Sequence, residues 1–551
     1  MLHVRTSKGS RLCNSPVQWE SLVTLPRHTS TGLRQLMAGL AVGLLLNCTG
    51  CTGIPGASIS DWWRHGCKVG PEYCEPAAPV APQWIDADDQ RVTDGYPSVA
   101  DWWNQFNDPV LNELVQSAYR QNITLREAGM RVLEVRAQRG IAVGNLFPQA
   151  QSLDAQYSRR QLSGNLANDL SGVVPNFSRN INDWSLAGNL SWELDFWGRF
   201  RRSIEAAEAD LDASVENYDD VLASLVAEVA STYVNIRTLQ QQLQYARQSV
   251  DLQRGSLQIA ESRYDNGAVT QVDVEQAKLV LSRTEALIPQ LNAALRKQNN
   301  QLCVLLGMPA TDLLPQLGES PIPTAPANIA LGVPAELLRR RPDVRRAERE
   351  VAAQSALIGV AVADLFPSLS INGNIGYESA QLDRLFVPAS NVGVIAPSIN
   401  WDVLNYGRLK NNVRVHQART QKAALAYQDT VLRANREAED GVTEFLNSHN
   451  ATLHLKDSVA AAERSAELLA IQYKQGAIGY NRVFTVQDIL VQQQQNYATS
   501  QGDIALGLIN IYRALGGGWQ IRFGAGNVAA APMEIIEPAP AEVVPPAGDA
   551  T

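Results

Sequence analysis

The sequence lacks the short motifs that mark many catalytic and nucleotide-binding sites. It contains no Gly-x-Ser-x-Gly, no pair of Cys-x-x-Cys motifs and no Walker sequence. The only two histidines that lie near each other, His449 and His454, are spaced by five residues, which puts them on different faces of a helix. We therefore expect no enzyme activity, no cofactor and no metal site.

The chain also lacks an excess of positive charge and contains few cysteines. The net charge is −9 and there is no polybasic run, which argues against a nucleic-acid partner. Of six cysteines, Cys67 and Cys74 are candidates for a disulfide in an oxidising compartment. The remaining mid-chain cysteine, Cys303, stands among apolar residues and is expected to be buried.

The N-terminal region has the pattern of a secretory signal. Leu36 to Leu46 is apolar but too short to span a bilayer, which requires about twenty residues. The sequence that follows resembles a bacterial lipoprotein signal, in which a cysteine after a small residue becomes the acylated N-terminus. Cys51, which follows Gly50, is the predicted lipidation site, and Cys48 and Cys67 are the alternatives. The covalent lipid is the only attached group that we expect.

The rest of the chain contains one module twice. At an offset of 209 residues, Trp192 aligns with Trp401 and Tyr264 with Tyr473. Upstream, at an offset of 219, the Leu-Phe-Pro at 146–148 aligns with that at 365–367. A unit of this length exceeds solenoid periods and predicts two structurally equivalent halves.

Proline is missing between 201 and 265, where glycine occurs once. Apolar residues recur there every seven positions, which predicts a helix with a coiled-coil-like seam. The seam residues are Leu222, Val229, Ile236, Leu243, Val250 and Leu257. We expect a turn after Asp265, a capping box between Thr270 and Asp273, and a return helix of about 35 residues. The second copy predicts a long helix over about 409–475 and a return helix to Leu515. Leading helices are predicted at about 109–145 and 334–364.

Between each leading and long helix, apolar and polar residues alternate in two strands of about ten residues. This period and length suit transmembrane β-strands, although alternation alone also fits hairpins on a soluble domain. Pro397 suggests a bulge or a kink in the last strand. Four strands cannot close a barrel, and three copies would supply twelve strands around a wet lumen. The predicted lipid-facing residues are Trp184, Leu190, Trp192, Ile399 and Trp401.

The expected fold is mainly α-helical with a small β part. It has a two-fold internal repeat, long antiparallel helices forming an α-barrel, and four strands per chain in a trimeric twelve-stranded β-barrel. The predicted divisions are a signal peptide (1–50), an N-terminal extension (51–105), repeat 1 (106–307), a linker (308–333), repeat 2 (334–519) and a disordered tail (520–551).

Over roughly residues 68–520 the chain resembles the outer-membrane factor family of TolC type, in its lipoprotein branch. The resemblance rests on Val69-Gly70-Pro71-Glu72-Tyr73, on Arg340-Arg341-Pro342-Asp343 and on Leu515-Gly516-Gly517-Gly518-Trp519, besides the duplicated module. It implies a homotrimeric efflux channel in the outer membrane of a Gram-negative-type bacterium, with the helical part in the periplasm. The implied partners are a periplasmic adaptor, an inner-membrane pump and outer-membrane lipid.

The resemblance also implies a function for the two interhelical turns, as a gate and an adaptor-docking site. The matching positions are Gly267, Thr270, Asp273, Gly476, Gly479, Tyr480 and Arg482. The second turn departs from the family, since Gly479 and Arg482 stand where Ser and an acidic residue are usual. We hypothesise that Arg482 meets Asp273 or Asp265 across neighbouring turns. The alternative functions are a type I protein-secretion duct and a non-conducting periplasmic scaffold.

Overall fold

The computed structural model describes residues 62–63, 66–94, 99–165, 179–331 and 339–524 of the 551 residues. The predicted signal peptide, Cys48, Cys51 and the chain beyond 524 lie outside these ranges. The helices and strands, in chain order, are β1 (Val92–Asp94), α1 (Pro109–Gln121), α2 (Ile123–Gly144), β2 (Ala150–Gln161), β3 (Asn180–Leu194), α3 (Arg199–Asp265), α4 (Gln271–Leu305), α5 (Leu314–Leu317), β4 (Ile329–Leu331), α6 (Pro342–Ala363), β5 (Ser368–Ser379), β6 (Asn391–Asn400), α7 (Arg408–Lys474) and α8 (Tyr480–Ala514).

Two helices of 67 residues, α3 and α7, determine the length of the molecule. At a rise of ~1.5 Å per residue each spans ~100 Å. Each begins after a glycine in the left-handed region, Gly198 or Gly407, and is followed by another, Gly267 or Gly476. Five of the six predicted seam residues of α3 are buried, and Leu257 is partly buried. The predicted long helices and their seam are thus confirmed.

The first leading helix was predicted as one segment, and this is wrong. It is two helices, α1 and α2, interrupted at Asn122. The Asn122 side chain caps α2 by accepting from the Leu125 amide over 2.8 Å, and its amide group donates to the Leu305 carbonyl oxygen over 2.9 Å. The break therefore joins the leading segment to the end of α4.

The second leading helix, α6, begins at Pro342, and proline suits this first position because its missing amide hydrogen has no partner there. It starts later than the predicted Pro334, since residues 339–341 are not helical and 332–338 lie outside the described ranges. Helices α1, α2, α4, α6 and α8 pack along the long helices. In particular, α6 lies between α3 and α7 and packs against both.

The four longer strands form one antiparallel sheet in the order β2-β3-β5-β6. Trp192 lies opposite Ile371, and Ile371 lies opposite Pro397. The β5–β6 register runs from Ser368 and Asn400 to Tyr377 and Asn391 without an inserted residue. This register excludes a bulge at Pro397, and the alternative of a kink stays a prediction. Within one chain β6 has β5 as its only neighbouring strand, and proline is tolerated in such a position.

No helix in the described part of the chain has both the length and the apolar character needed to cross a bilayer.

The N-terminal extension follows the helices from the sheet towards their middle. Near the sheet, the Val69 amide donates to the Trp197 carbonyl oxygen over 3.0 Å. Further along, the Ile85 amide donates to Glu439 over 3.2 Å, and β1 pairs in parallel with β4 of the linker.

Cys67 is a free thiol whereas Cys74 is disulfide-bonded, so these two do not form the suggested disulfide with each other.

The largest apolar core lies near the middle of the helices, where Trp102 stacks on Tyr512 with ring centroids 5.7 Å apart.

A short 3-10 helix, Trp519–Phe523, packs against α3. The predicted disordered tail from 520 is therefore wrong over its first residues, and the part beyond 524 lies outside the described ranges.

Candidate functional site

The sheet has one mainly apolar and one mainly polar face, although Val392 and Val394 of β6 lie on the polar one. The register places Trp184, Leu190, Trp192 and Ile399 on the same face. Near the far end of the sheet, Trp184 contacts Tyr157 with ring centroids 4.3 Å apart. Trp401 differs from the prediction because β6 ends at Asn400, so it lies in the segment that leads to α7.

Hydrogen bonds between polar side chains cross the opposite face. The Ser191 hydroxyl donates to Asn372 over 2.7 Å, and the Asn372 amide donates to Ser398 over 3.2 Å. On the other side of β3, the Asn189 amide donates to Asp154 over 2.6 Å. These side chains are exposed within one copy of the chain. A surface of amides, hydroxyls and a carboxylate is suited to contact with water.

The junction between the sheet and the helices is built in the same way in both repeats. The Trp192 indole donates to the Leu146 carbonyl oxygen over 3.2 Å, and Trp401 donates to Leu365 over 3.0 Å. Each donor pairs with the Leu-Phe-Pro segment of its own repeat. The two tryptophans therefore anchor the end of the sheet to the leading helices.

Ion pairs at this junction are also duplicated. Arg199 pairs with Glu193 and Arg408 with Asp402, each over 3.2 Å. Asp364 lies 3.4 Å from Arg199, and burial raises the pKa of this carboxyl even though both arginines oppose the shift. The junction therefore carries charges of both signs.

The two interhelical turns lie together at the other end of the helices. Tyr473 and Tyr480 are buried with ring centroids 5.3 Å apart, in one cluster with Val274 and Ala277 of α4. Burial raises the pKa of the Tyr480 hydroxyl. Gly267 and Gly476 adopt positive φ angles, +71° and +77°, as a change of direction after a helix requires.

The predicted capping box in the first turn is wrong. Thr270 is the N-cap of α4 but its hydroxyl caps no amide, and the Asp273 amide donates to the Thr270 carbonyl oxygen over 3.1 Å. Gly479 is the N-cap of α8. Arg482 makes no ion pair with the described residues of its own chain. The hypothesis that it reaches Asp273 or Asp265 of a neighbouring turn stays a prediction.

The contact that joins the two turns is not predictable from the sequence pattern. The Arg263 guanidinium, in the last turn of α3, donates to the Tyr473 carbonyl oxygen and lies 4.7 Å over the Tyr473 ring. Tyr473 is buried, whereas its repeat equivalent Tyr264 is exposed. Arg263 aligns with Gln472, so the duplication gave no signal for it.

Comparison with known proteins agrees with this architecture. The family described as outer membrane efflux protein matches residues 114–308 and 333–517. The toluene efflux pump outer membrane protein TtgI of Pseudomonas putida is 30% identical, with 83% of this chain and 96% of that protein covered. The cation efflux system protein CusC of Escherichia coli is 29% identical, with the same coverage.

Among solved structures, the outer-membrane channel OprN has 29% sequence identity and a TM-score of 0.76. The match covers 82% of this chain and 100% of that one. The four strands of the larger sheet and both long helices lie within the residues that the family model matches. The chain therefore belongs to the outer membrane efflux protein family.

Proposed function

We propose that three copies of this chain form the outer-membrane exit channel of a tripartite efflux system. The observation that carries this proposal is the four-stranded sheet, which has two free edges, one apolar face and one polar face. An edge in lipid would leave its backbone amides and carbonyls without partners, so the sheet must close. Pairing β6 of one copy with β2 of the next closes it.

The need for a water-filled lumen determines the number of copies. Two copies would give eight strands, which leave an interior filled by side chains, whereas three give twelve and room for water. The hydrogen-bonded side chains around Ser191, Asn372 and Ser398 would line this lumen. On the outer face, Trp184 and Trp192 are separated by ~26 Å along β3, which a strand tilt of ~40° reduces to ~20 Å of height, so both fit within the lipid-facing band of ~25 Å in such barrels.

The helical part would continue the barrel into the periplasm. Helices of ~100 Å are much longer than the core of a globular domain needs, and they suit a tube. In this arrangement the two turns lie at the end farthest from the membrane. The contact of Arg263 with Tyr473 would hold them together and narrow the entrance, and the surrounding surface would receive the periplasmic adaptor.

We propose small molecules delivered by an inner-membrane pump as the cargo. TtgI and CusC are named for toluene and for cations, although the two are almost equally similar to this chain. Overall similarity therefore does not select a cargo class, and selection belongs to the pump and the adaptor. A lipid on Cys51 would add a second anchor beside the barrel.

Two measurements test the proposal. The detergent-extracted membrane protein, with the detergent mass subtracted, should have about three times the mass of the mature chain by light scattering. Reconstituted in planar bilayers, it should produce stepwise conductance. A monomer or dimer would refute the closed barrel. A trimer that shows no conductance, even in the Arg263→Ala variant, would favour the alternative of a non-conducting scaffold.

A further inference from the structure

The internal duplication allows contacts inside the chain to serve as a template for contacts between copies. Helix α6 of repeat 2 packs against both long helices. Its equivalent in repeat 1, α2, packs along α3 and has no comparable contact with α7 among the described residues. The two helices have the same length of 22 residues, but thirteen residues of α6 are buried and four of α2. The contact that α2 lacks is one with a copy of α7.

An aromatic stack marks the junction where the two repeats meet inside the chain. Trp197 follows β3, and its ring stacks on Phe366 with centroids 4.5 Å apart and planes 22° apart. The Trp197 indole also donates to the Pro367 carbonyl oxygen over 2.8 Å. This stack accompanies the pairing of β3 with β5, which is the step from repeat 1 to repeat 2 within the sheet.

The residues equivalent to this pair would lie where repeat 2 of one copy meets repeat 1 of another. Both are aromatic and both are exposed. At the offset of 209 residues Trp197 corresponds to Tyr406, and at the offset of 219 residues Phe366 corresponds to Phe147. Tyr406 is 98% exposed and Phe147 is 61% exposed. Tyr406 follows the edge strand β6, and Phe147 precedes the edge strand β2. Joining β6 to β2 of another copy therefore brings these two rings to the same junction.

The helices continue this complementary surface. Exposed apolar side chains occur at Val415, Leu425 and Leu432 of α7, and at Ile141, Met130 and Ile123 of α2. Helix α7 runs away from the sheet and α2 runs towards it. From the sheet outwards, the three exposed residues of α7 are separated by 10 and then by 7 positions. The three exposed residues of α2 are separated by 11 and then by 7 positions. The two rows therefore match in spacing along antiparallel helices.

We infer that Tyr406 of one copy stacks on Phe147 of the next, and that α7 of the first packs on α2 of the second. The occupant of this exposed surface is thus a second copy of the chain. The inference rests on the proposed trimer and specifies the contact that closes it.

The first test is thiol cross-linking of the full-length protein in membranes. The variant with Tyr406→Cys and Phe147→Cys is treated with a short bifunctional thiol reagent. We expect covalent dimers and trimers on a denaturing gel. The matched control carries Trp197→Cys and Phe366→Cys, and its cross-link should stay within one chain at monomer mass. The single variants control for the native cysteines.

The second test does not depend on the reach of a reagent. Tyr406→Ser and Phe147→Ser should each lower the temperature at which the assembled trimer dissociates, and the double variant should lose less than the sum of the two. Phe386→Ser, at an aromatic residue of similar exposure between β5 and β6, should leave that temperature unchanged.

The outcomes separate this contact from the function. A trimer with additive losses, or with no loss, would place both rings against lipid and overturn the inference, while the channel proposal stands. A protein that is not trimeric by light scattering would overturn both. Non-additive losses with intermolecular cross-links would support the contact.

Discussion

Arg263 and Tyr473 connect the ends of the two long helices, since the guanidinium of the first donates to the backbone carbonyl oxygen of the second and covers its ring. An added Cβ on Gly476 would lie 3.4 Å from the same guanidinium. One side chain thus fixes the position of the second turn relative to the first. If the turns form the channel entrance, this contact favours the narrow state.

Arg263→Ala should therefore widen the entrance. We expect higher open probability in planar bilayers because the cation–π contact and the hydrogen bond are lost together. Arg254→Ala is the matched control, since Arg254 lies on the same helix and pairs with Glu285 at an exposed position. Equal open probability for both variants would show that the Arg263 contact does not restrict the entrance.

Arg482→Ala tests a different contact. Because Arg482 has no ion pair within the described part of its own chain, an ion pair through which it affects gating would be one with a neighbouring copy. We expect a raised open probability that Asp273→Asn reproduces and that the combined variant does not increase further. Unchanged gating in Arg482→Ala would remove this contact from the mechanism.

Trp192→Asp should prevent assembly in the outer membrane. The change introduces a charge on the apolar face and removes the hydrogen bond to Leu146. The amount of heat-dissociable trimer in outer-membrane fractions measures the effect. Ser191→Asp is the control, because its side chain lies on the polar face of the same strand. Trp401→Asp should be less severe, since Trp401 lies beyond the end of β6. Normal assembly of Trp192→Asp would refute the assignment of the faces.

The duplication made most of the helical framework predictable. Two independent copies of each signal placed the starts of α3 and α7 within two residues of their positions in the structure. Features that depend on a partner far away in sequence were not predictable. The break at Asn122 is stabilised by the Leu305 carbonyl oxygen, and the three-residue pairing of β1 with β4 is too short for a periodic signal. The contact of Arg263 with Tyr473 crosses the repeats and has no counterpart in the other turn.

The stability of the helical part should depend on pH through Asp219. Burial raises the pKa of this carboxyl to about 7, although Arg522 lies 3.0 Å away. The unfolded chain releases the same proton near pH 4, so between about pH 4 and 7 the folded state binds more protons. The free energy of unfolding should therefore fall as pH rises through this window and level off above it.

Asp219→Asn should reduce this pH dependence. The repeat-equivalent residue is Gln428, so an amide occupies the corresponding position of the other long helix. Denaturant unfolding at pH 5 and pH 8 measures the difference for the wild type and the variant. Asp429→Asn, at an exposed pair with Arg433, should retain the wild-type difference. An Asp219→Asn variant with the full pH dependence would assign it to other groups.

Arg341 tests whether the Arg-Arg-Pro-Asp segment is structural. Its buried guanidinium pairs with Asp343 and Glu437, each over 2.8 Å, and donates to the Ala514 carbonyl oxygen over 2.9 Å. It thereby connects the start of α6 to α7 and to the end of α8. Arg341→Ala leaves a carbonyl and two carboxylates without this donor. Removal of one partner from a buried pair costs about 3–5 kcal/mol, and the value should lie towards the lower end here because Glu437 is half-exposed.

We therefore expect Arg341→Ala to lower the amount of assembled protein and its resistance to denaturant. The conductance of each channel that does assemble should equal that of the wild type, because Arg341 lies far along the helices from the turns. Arg339→Ala, at an exposed arginine two residues earlier, should change neither quantity. An altered single-channel conductance in Arg341→Ala at unchanged stability would mean that this segment contributes to transport, and would contradict a purely structural function.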